Sequence, residues 1–320
     1  MNLYQINIRP SGSYYSSIKG DMLFGMFCWA IVDNFGEERL KKCLDGYMQN
    51  RPFVVFSDAF PCGYLPKPTL PFIYYENMEK QQNDNDSSEA VRKRKENKRK
   101  NWLPADKIGV PTIQMSEMFV EVEYISKDLR TMVHLDPVSQ HTSGGQYSAY
   151  TAEQLTYTKD LSLYILIDEE RISTEEVRIL LEYIGQIGYG KKAAAGNGKF
   201  ELLGDLKKVE FAKQASSSFL TLAPCIPPLN TFDTDRSFYH IFVRFGKHGN
   251  VAACSANPFK KPIMTADTGA VFTFAEGKMP DKVEFIGSAV SNISVAEPTT
   301  VFQGYAPVVP LNLGEKKDDK

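Results

Sequence analysis

A short glycine- and lysine-rich segment, residues 188–199, carries the residue types that hold phosphate groups. Glycine permits positive φ and a close approach of backbone N–H groups to a ligand, and lysine supplies a point charge. We expect its lysine side chains and the N–H groups around its glycines to hold an extended polyanion. The candidate residues are Gly188, Tyr189, Gly190, Lys191, Lys192, Gly196, Asn197, Gly198 and Lys199.

The elements on either side of this segment argue against the common nucleotide-binding motifs. Upstream, residues 174–185 have a polar start and apolar side chains at helical spacing, with Ser173 or Thr174 as the N-cap. Downstream, residues 199–203 alternate as a strand does. Rossmann and Walker loops follow a strand and open a helix, which is the opposite order. The competing interpretation is a flexible connection whose lysines serve solubility.

The charge of the chain is distributed unevenly. Residues 92–100 hold seven basic residues and one acidic residue, a local charge of +6, while the whole chain of 320 residues has a formal net charge of −2. The remainder therefore sums to −8, and any polyanion site must be a local patch on an acidic body. The basic run itself is typical of a solvated segment, with phosphate binding as the less common role.

The cysteines and the apolar runs indicate a cytoplasmic protein without a metal site, cofactor or membrane segment. Five cysteines are odd in number, widely spaced and without a CxxC pair, which suits reduced structural thiols. The N-terminus runs directly into an alternating strand and shows no signal peptide. The longest apolar stretch, residues 22–32, is too short to span a bilayer.

The order of predicted elements indicates an α+β fold with two domains. Residues 1–212 run strand, helix, strand, insertion, strands, helix, glycine-rich loop, strand; without the insertion, at about residues 76–101, this is the βαββαβ order of ferredoxin-like and RNA-recognition folds. The insertion is polar and then basic, with no apolar stripe. Residues 213–320 contain further short strands and are predicted to form a second, strand-rich α+β domain.

Catalytic candidates are few. His134 and His141 lie in one polar loop and could activate a 2′-hydroxyl for metal-free RNA cleavage. The interpretation that we favour is that they hydrogen-bond backbone or RNA, and Asp136 has no clustered acidic partner for metal-assisted cleavage. We assign no catalytic residue. The Tyr14–Tyr15 pair has two open interpretations, base stacking or packing on the sheet edge.

Several stretches in fixed order resemble one family. These are residues 19–25 (KGDMLFG), 57–61 (SDAFP), 65–71 (LPKPTLP), 188–199 (GYGKKAAAGNGK), 259–264 (FKKPIM) and 268–272 (TGAVF). The first four resemble the RAMP superfamily of CRISPR proteins. The last two are similar to the late segment of the Csm4 family, which belongs to type III-A complexes. Where the superfamily's loop is often richer in glycine, this chain has three alanines, residues 193–195.

The resemblance implies two ferredoxin-like domains facing each other in a non-enzymatic subunit. That subunit would grip the 5′ handle of the guide RNA (crRNA) and contact the large palm-domain subunit and the first backbone subunit. The alternatives are a metal-independent, repeat-cleaving endoribonuclease of the same superfamily and a purely structural adaptor. Beside the glycine-rich segment, the residues expected to contact RNA are Ser11, Ser13, Tyr14, Ser17, Lys19, Gly20, Arg130, His134 and His141.

Overall fold

The computed structural model describes residues 1–75, 99–133, 141–142, 149–211, 216–249 and 253–314. Most of the predicted insertion, the predicted domain boundary at 212, His134 and Asp136 lie outside these residues. In the described part of the chain, no helix is both long and apolar enough to cross a membrane.

Helices and strands alternate in the first half of the chain, and strands dominate the second. The α-helices among the described residues are α1 (Gly20–Phe35), α2 (Glu37–Leu44), α3 (Thr112–Met115) and α4 (Thr174–Ile187). The first nine strands are β1 (Asn2–Ser11), β2 (Val54–Phe56), β3 (Phe60–Pro61), β4 (Tyr64–Pro66), β5 (Trp102–Pro104), β6 (Ile125–Val133), β7 (Ala149–Tyr157), β8 (Leu161–Ile167) and β9 (Lys199–Lys208). The remaining strands are β10 (Ser218–Thr221), β11 (Ile241–Arg244), β12 (Ile263–Ala266), β13 (Val271–Thr273), β14 (Phe285–Gly287) and β15 (Tyr305–Pro310).

The N-terminal half is built on an antiparallel sheet with strand order β2-β8-β1-β9, and β3 also pairs with β8. Its main elements follow the strand–helix–strand–strand–helix–strand order predicted from the sequence, with the β6–β7 hairpin between the second and third strands. The last strand lies beside the first, and Ser11 is opposite Lys199. This pairing places the end of the glycine-rich segment next to the loop that follows β1.

Helices α1 and α4 cover one face of this sheet. Alternate residues of β1 (Tyr4, Ile6 and Ile8) are buried beneath them. Helix α4 begins with a capping box, in which the Ser173 hydroxyl accepts the N–H of Glu176 and the Glu176 carboxylate accepts the N–H of Ser173. The sequence predicted this helix, and of the two N-cap candidates, Ser173 and Thr174, the structure has Ser173.

The C-terminal half contains a four-stranded sheet of order β13-β10-β15-β14 and a two-stranded ribbon, β11–β12. Within residues 216–249 and 253–314 the helical structure consists of short 3-10 turns, with no α-helix. The βαββαβ order is therefore not repeated in the described part of this half. A second ferredoxin-like domain stays a prediction.

The two halves are joined by buried polar contacts. The amide of Gln303 donates to the Phe56 carbonyl at 3.0 Å and accepts the Phe56 N–H at 3.1 Å, so it replaces a neighbouring strand along β2. The buried hydroxyl of Tyr305 donates to the carbonyl of Tyr47 at 2.6 Å. Apolar side chains of both halves also share one core cluster, which includes Leu65 and Val309.

Candidate nucleic-acid interface

The glycine-rich loop, residues 188–199, is a closed turn held against the loop that follows β1, residues 12–19. Helix α4 ends where Gly188 adopts a φ of 97°. The Tyr189 N–H then donates to the Gly198 carbonyl at 2.7 Å, across the neck of the turn. The Gly198 N–H donates to the Ser13 carbonyl at 2.8 Å. Two segments separated by most of the N-terminal half thus meet at one edge of the sheet.

The backbone of this loop is not a phosphate cradle. Most of its N–H groups donate to carbonyl oxygens of the chain itself: Gly188 to Ile184, Tyr189 to Gly198, Ala193 to Gly190, Ala195 to Lys192, Gly196 to Ala193, Asn197 to Lys192 and Gly198 to Ser13. The N–H of Gly190 points to the sulfur of Met26 at 3.4 Å. The prediction that these N–H groups bind phosphate is wrong, because closing so tight a turn already uses them.

The glycines serve the geometry of the turn. Gly198 has a φ of 77°, and a Cβ there would lie 2.1 Å from the Tyr189 carbonyl oxygen. Gly196 has a φ of 82°, but a Cβ there would meet nothing within 4 Å. Positive φ explains both glycines, and the close approach of two backbone segments adds a second requirement at Gly198.

The three lysines of the loop have different surroundings. Lys191 and Lys199 are exposed, and neither forms an ion pair with the described residues. Lys192 is partly buried, and its ammonium lies near the rings of Tyr15 and Tyr150. Lys191 and Lys199 are therefore the lysines of this loop whose charges face solvent.

The predicted phosphate ligand Lys19 is instead an internal ion-pair partner. Its ammonium lies 3.1 Å from the Asp58 carboxylate and 2.8 Å from the Asp267 carboxylate, and the side chain is 18% exposed. Burial lowers the pKa of Lys19, but the two carboxylates raise the pKa more, so the net shift is upward. The prediction is wrong because both acids come from elements that tertiary folding brings to this point.

A second ion pair lies beside the first. Arg244 of β11 binds the buried carboxylate of Asp21, in the first turn of α1, through two hydrogen bonds of 2.5 and 2.7 Å. The Phe242 ring lies 4.8 Å from the Lys19 ammonium and 4.7 Å from the Arg244 guanidinium. Together these charges join α1 of the first half to the β11–β12 ribbon of the second.

Two other predicted RNA contacts are structural. Gly20 begins α1 so close to β2 that a Cβ would lie 2.2 Å from the Phe56 carbonyl oxygen. Tyr14 is completely buried, and its hydroxyl donates to the Lys199 carbonyl at 2.5 Å. Packing, the second of the two open interpretations, is therefore the one that holds for Tyr14.

Tyr189 is also fully buried. Its hydroxyl accepts the Lys19 N–H at 2.9 Å and lies 3.1 Å from the Ser17 carbonyl oxygen. This tyrosine links the glycine-rich loop to residues 12–19 from inside the protein. Its ring is not available to a base, so the predicted RNA contact is wrong for this side chain.

Several predicted contacts do lie on one accessible surface. The hydroxyl of Ser11 lies 3.3 Å from the Lys199 carbonyl oxygen, and the Tyr14–Leu155 bridge attaches the β6–β7 hairpin to the loop that follows β1. The exposed or partly exposed candidates of this region are Ser11, Ser13, Ser17, Arg130, Gly190, Lys191, Lys192, Gly196, Asn197 and Lys199. His141 is exposed and follows β6 in the chain. The glycine-rich loop, the loop after β1 and the hairpin therefore form one surface.

Comparisons with known proteins rest on structure. No protein-family model matches the sequence, and no curated protein does. A crystal structure of a Csm1–Csm4 cassette in complex with cA4 contains a similar chain, with a TM-score of 0.61, 13% identity, and coverage of 98% of this chain and 99% of that one. A Csm3–Csm4 subcomplex of the type III-A CRISPR-Cas interference complex contains another, with a TM-score of 0.54, 14% identity, and coverage of 97% and 99%. Csm4 is the component that both assemblies share. The chain has the Csm4 fold.

The Csm4 fold agrees with the resemblance drawn from the sequence motifs, and it accounts for motifs outside the glycine-rich loop. Asp58 lies in the 57–61 motif, and Thr268 lies in the 268–272 motif. In the folded chain the Thr268 hydroxyl donates to the Asp58 carboxylate at 2.5 Å. These two motifs therefore contribute residues to the polar cluster of Lys19, Asp58, Asp267 and Thr268 that joins the two halves.

One surface of this Csm4 fold was not predicted from the sequence. Along β11, Phe242 and Arg244 face α1, while Ile241, Val243 and the next residue, Phe245, face solvent. Ile241 is 70% exposed, Phe245 is 77% exposed, and Met264 on β12 is 70% exposed. Alternation along the strand could have indicated this face, but not which side the rest of the protein would cover.

Proposed function

We propose that this chain is the Csm4-type subunit of a type III-A CRISPR effector complex. It binds the 5′ handle of the guide RNA without cutting it. It bridges the large palm-domain (Csm1-type) subunit and the backbone (Csm3-type) subunits. The observation that carries the proposal is the surface formed by the glycine-rich loop, the loop after β1 and the β6–β7 hairpin, on a chain with the Csm4 fold.

The charges of this surface suit a phosphate backbone. Lys191 lies within the glycine-rich loop and Lys199 at its end, both are exposed, and Arg130 is exposed on the adjoining hairpin. None of the three is neutralised by a carboxylate in the described parts of the chain. Unpaired exposed cations bind phosphate mainly through charge, so this contact is insensitive to base sequence.

The absence of RNA cleavage is part of the proposal. His141 is exposed, and His134 lies outside the described residues. His248 does contact a serine, with 2.6 Å between its Nε2 and the Ser294 hydroxyl, but the histidine is only 6% exposed and the serine 3%. A buried contact of this kind can hold two loops together, but it is not accessible for attack on RNA.

Replacing Lys191 and Lys199 together by alanine should weaken RNA binding and lower its salt dependence. Each lost phosphate contact is expected to reduce the slope of log K against log salt by about one. The measurement is binding of a repeat-derived RNA across a salt series, with a thermal melt of the variant. Lys41→Ala, an exposed lysine on α2, is the control and should leave both affinity and slope unchanged.

An unchanged slope in the folded double variant would favour the structural-adaptor alternative. The RNA recovered from the same binding reactions should be intact. Cleavage at one position of the repeat, abolished by His134→Ala or His141→Ala, would favour the endoribonuclease alternative.

The bridging role is supported by the exposed apolar face of the β11–β12 ribbon. Monomeric proteins rarely expose a contiguous group of large apolar side chains unless a partner covers it. Residues 237–249 and 253–266 contain no carboxylate side chain and include Lys247 and Lys261. A neighbouring protein subunit with an apolar centre and an acidic rim would complement this face.

The double variant Ile241→Thr/Met264→Thr should weaken binding to at least one of the two partner subunits by about tenfold, a loss of about 1.4 kcal/mol. Threonine keeps the strand propensity while removing apolar surface. Binding of each purified partner subunit is measured separately, together with RNA affinity, which should not change. The control is Leu129→Thr, at an exposed position of β6. Unaltered binding of both subunits would contradict the role of this face.

A further inference from the structure

The ammonium group of Lys192 lies between two tyrosine rings. It is 4.7 Å from the ring centroid of Tyr15 and 5.0 Å from that of Tyr150. It also donates a hydrogen bond to the Tyr150 hydroxyl at 3.0 Å and contacts the sulfur of Met132. The faces of aromatic rings attract a cation, so the charge of this lysine is directed toward the protein and not toward solvent.

These contacts join three segments that are distant in the chain. Lys192 belongs to the glycine-rich loop, and Tyr15 to the loop after β1. Met132 lies on β6 and Tyr150 on β7, where they are opposite each other in the hairpin. A single side chain of the glycine-rich loop therefore contacts both strands of the β6–β7 hairpin.

Other hydrogen bonds between described residues of the hairpin and these loops lie nearer to its base. Tyr14 bridges to Leu155, the Tyr15 hydroxyl donates to Gln154 at 3.3 Å, and the Ile18 N–H donates to the Tyr157 hydroxyl at 3.2 Å. In the register of the hairpin, the Met132–Tyr150 pair lies four positions farther from the base than the Asp128–Gln154 pair. Lys192 is therefore the contact placed to orient the outer half of the hairpin.

We propose that Lys192 is a positioning residue, which holds the outer half of the β6–β7 hairpin against the glycine-rich loop instead of binding phosphate. The effect of this positioning on RNA binding rests on the proposed function, because the outer half of the hairpin carries Arg130 on the RNA-facing surface. The structural part concerns the free protein and is independent of RNA. The backbone of Lys192 has a φ of 62°. Alanine and arginine have the same energetic cost in this left-handed backbone conformation. A difference between the Lys192→Ala and Lys192→Arg variants therefore reports the side chain alone.

Hydrogen exchange of the free protein tests the inference. In Lys192→Ala, amides of residues 130–133 and 149–152 should exchange about tenfold faster, because local opening of that part costs less free energy. Amides of residues 155–157 should be unchanged. Lys191→Ala is the matched control and should exchange as the wild type does, while Lys192→Arg should restore protection. Wild-type exchange in Lys192→Ala would overturn the proposal.

RNA binding distinguishes positioning from phosphate contact. Lys192→Ala should lower RNA affinity with an unchanged salt slope, and Tyr150→Leu should reproduce both the faster exchange and the lower affinity. A lower slope in Lys192→Ala with wild-type exchange would make it a phosphate ligand and overturn the proposal. If the Lys191 and Lys199 variants leave the slope unchanged, the proposed function fails, but the exchange experiment still decides the role of Lys192.

Discussion

Gly198→Ala is expected to destabilise the protein far more than Gly196→Ala, although both glycines have φ near 80°. Placing a side chain in the left-handed region costs about 1–2 kcal/mol, and that cost applies to both variants. At Gly198 the new Cβ would also lie 2.1 Å from the Tyr189 carbonyl oxygen, while at Gly196 it would meet open space. Overpacking of this kind costs about a further 1–3 kcal/mol.

The consequences at Gly198 should extend beyond stability. The backbone of Tyr189 cannot move away without losing its hydrogen bond to Gly198, and its hydroxyl is held by Lys19 and Ser17. The measurement is the free energy of unfolding of both alanine variants by chemical denaturation, followed by RNA affinity of the folded fraction. Equal destabilisation of the two variants would contradict the close approach seen at Gly198.

Lys19→Met should destabilise the joint between the two halves by about 3–5 kcal/mol, since removing one partner leaves buried charge uncompensated. The Asp58 carboxylate is 9% exposed and would keep only its hydrogen bonds from Thr268 and from the N–H of Gly20. Methionine retains the length of the aliphatic side chain, so lost packing contributes little. RNA affinity of the folded variant should be unchanged, because this ammonium faces the protein interior.

Chemical denaturation at several pH values measures this contribution. Because the pKa of Lys19 in the folded protein lies above its ordinary value of 10.5, its contribution to stability is complete below that pH and is lost as the pH rises further. The contribution of the Lys19 charge itself should therefore be constant from about pH 7 to pH 9. Any rise with pH in the difference between wild type and variant reports ionisation of Asp58, whose pKa is raised by burial and lowered by Lys19. The control, Lys41→Met, removes an exposed ion pair with Glu38 and should cause no measurable change. A folded, fully stable Lys19→Met variant with reduced RNA affinity would restore Lys19 as a phosphate ligand.

The N-terminal half shows what local sequence determined. The apolar spacing of α4 and its Ser173–Glu176 capping box specify a helix with a defined start, and the alternation of β1 specifies a strand with one buried face. The glycines of residues 188–199 required a turn with positive φ, and the structure places all four of them there with φ between 76° and 97°. Each of these features depends on residues a few positions apart, so the sequence was sufficient to predict it.

Only the tertiary structure decided which charges are free. Lys191, Lys192, Lys199 and Lys19 looked equivalent as phosphate ligands in the sequence. Folding pairs Lys19 with Asp267, which is 248 positions away, and places Lys192 beside Tyr150, which is 42 positions away. A lysine and its distant partner meet only when whole sheets and hairpins dock, and the energy of docking is spread over many apolar contacts of the core. No local sequence pattern encodes these contacts between distant residues. The sequence therefore indicated a basic glycine-rich loop, and only the fold determined which of its lysines face solvent.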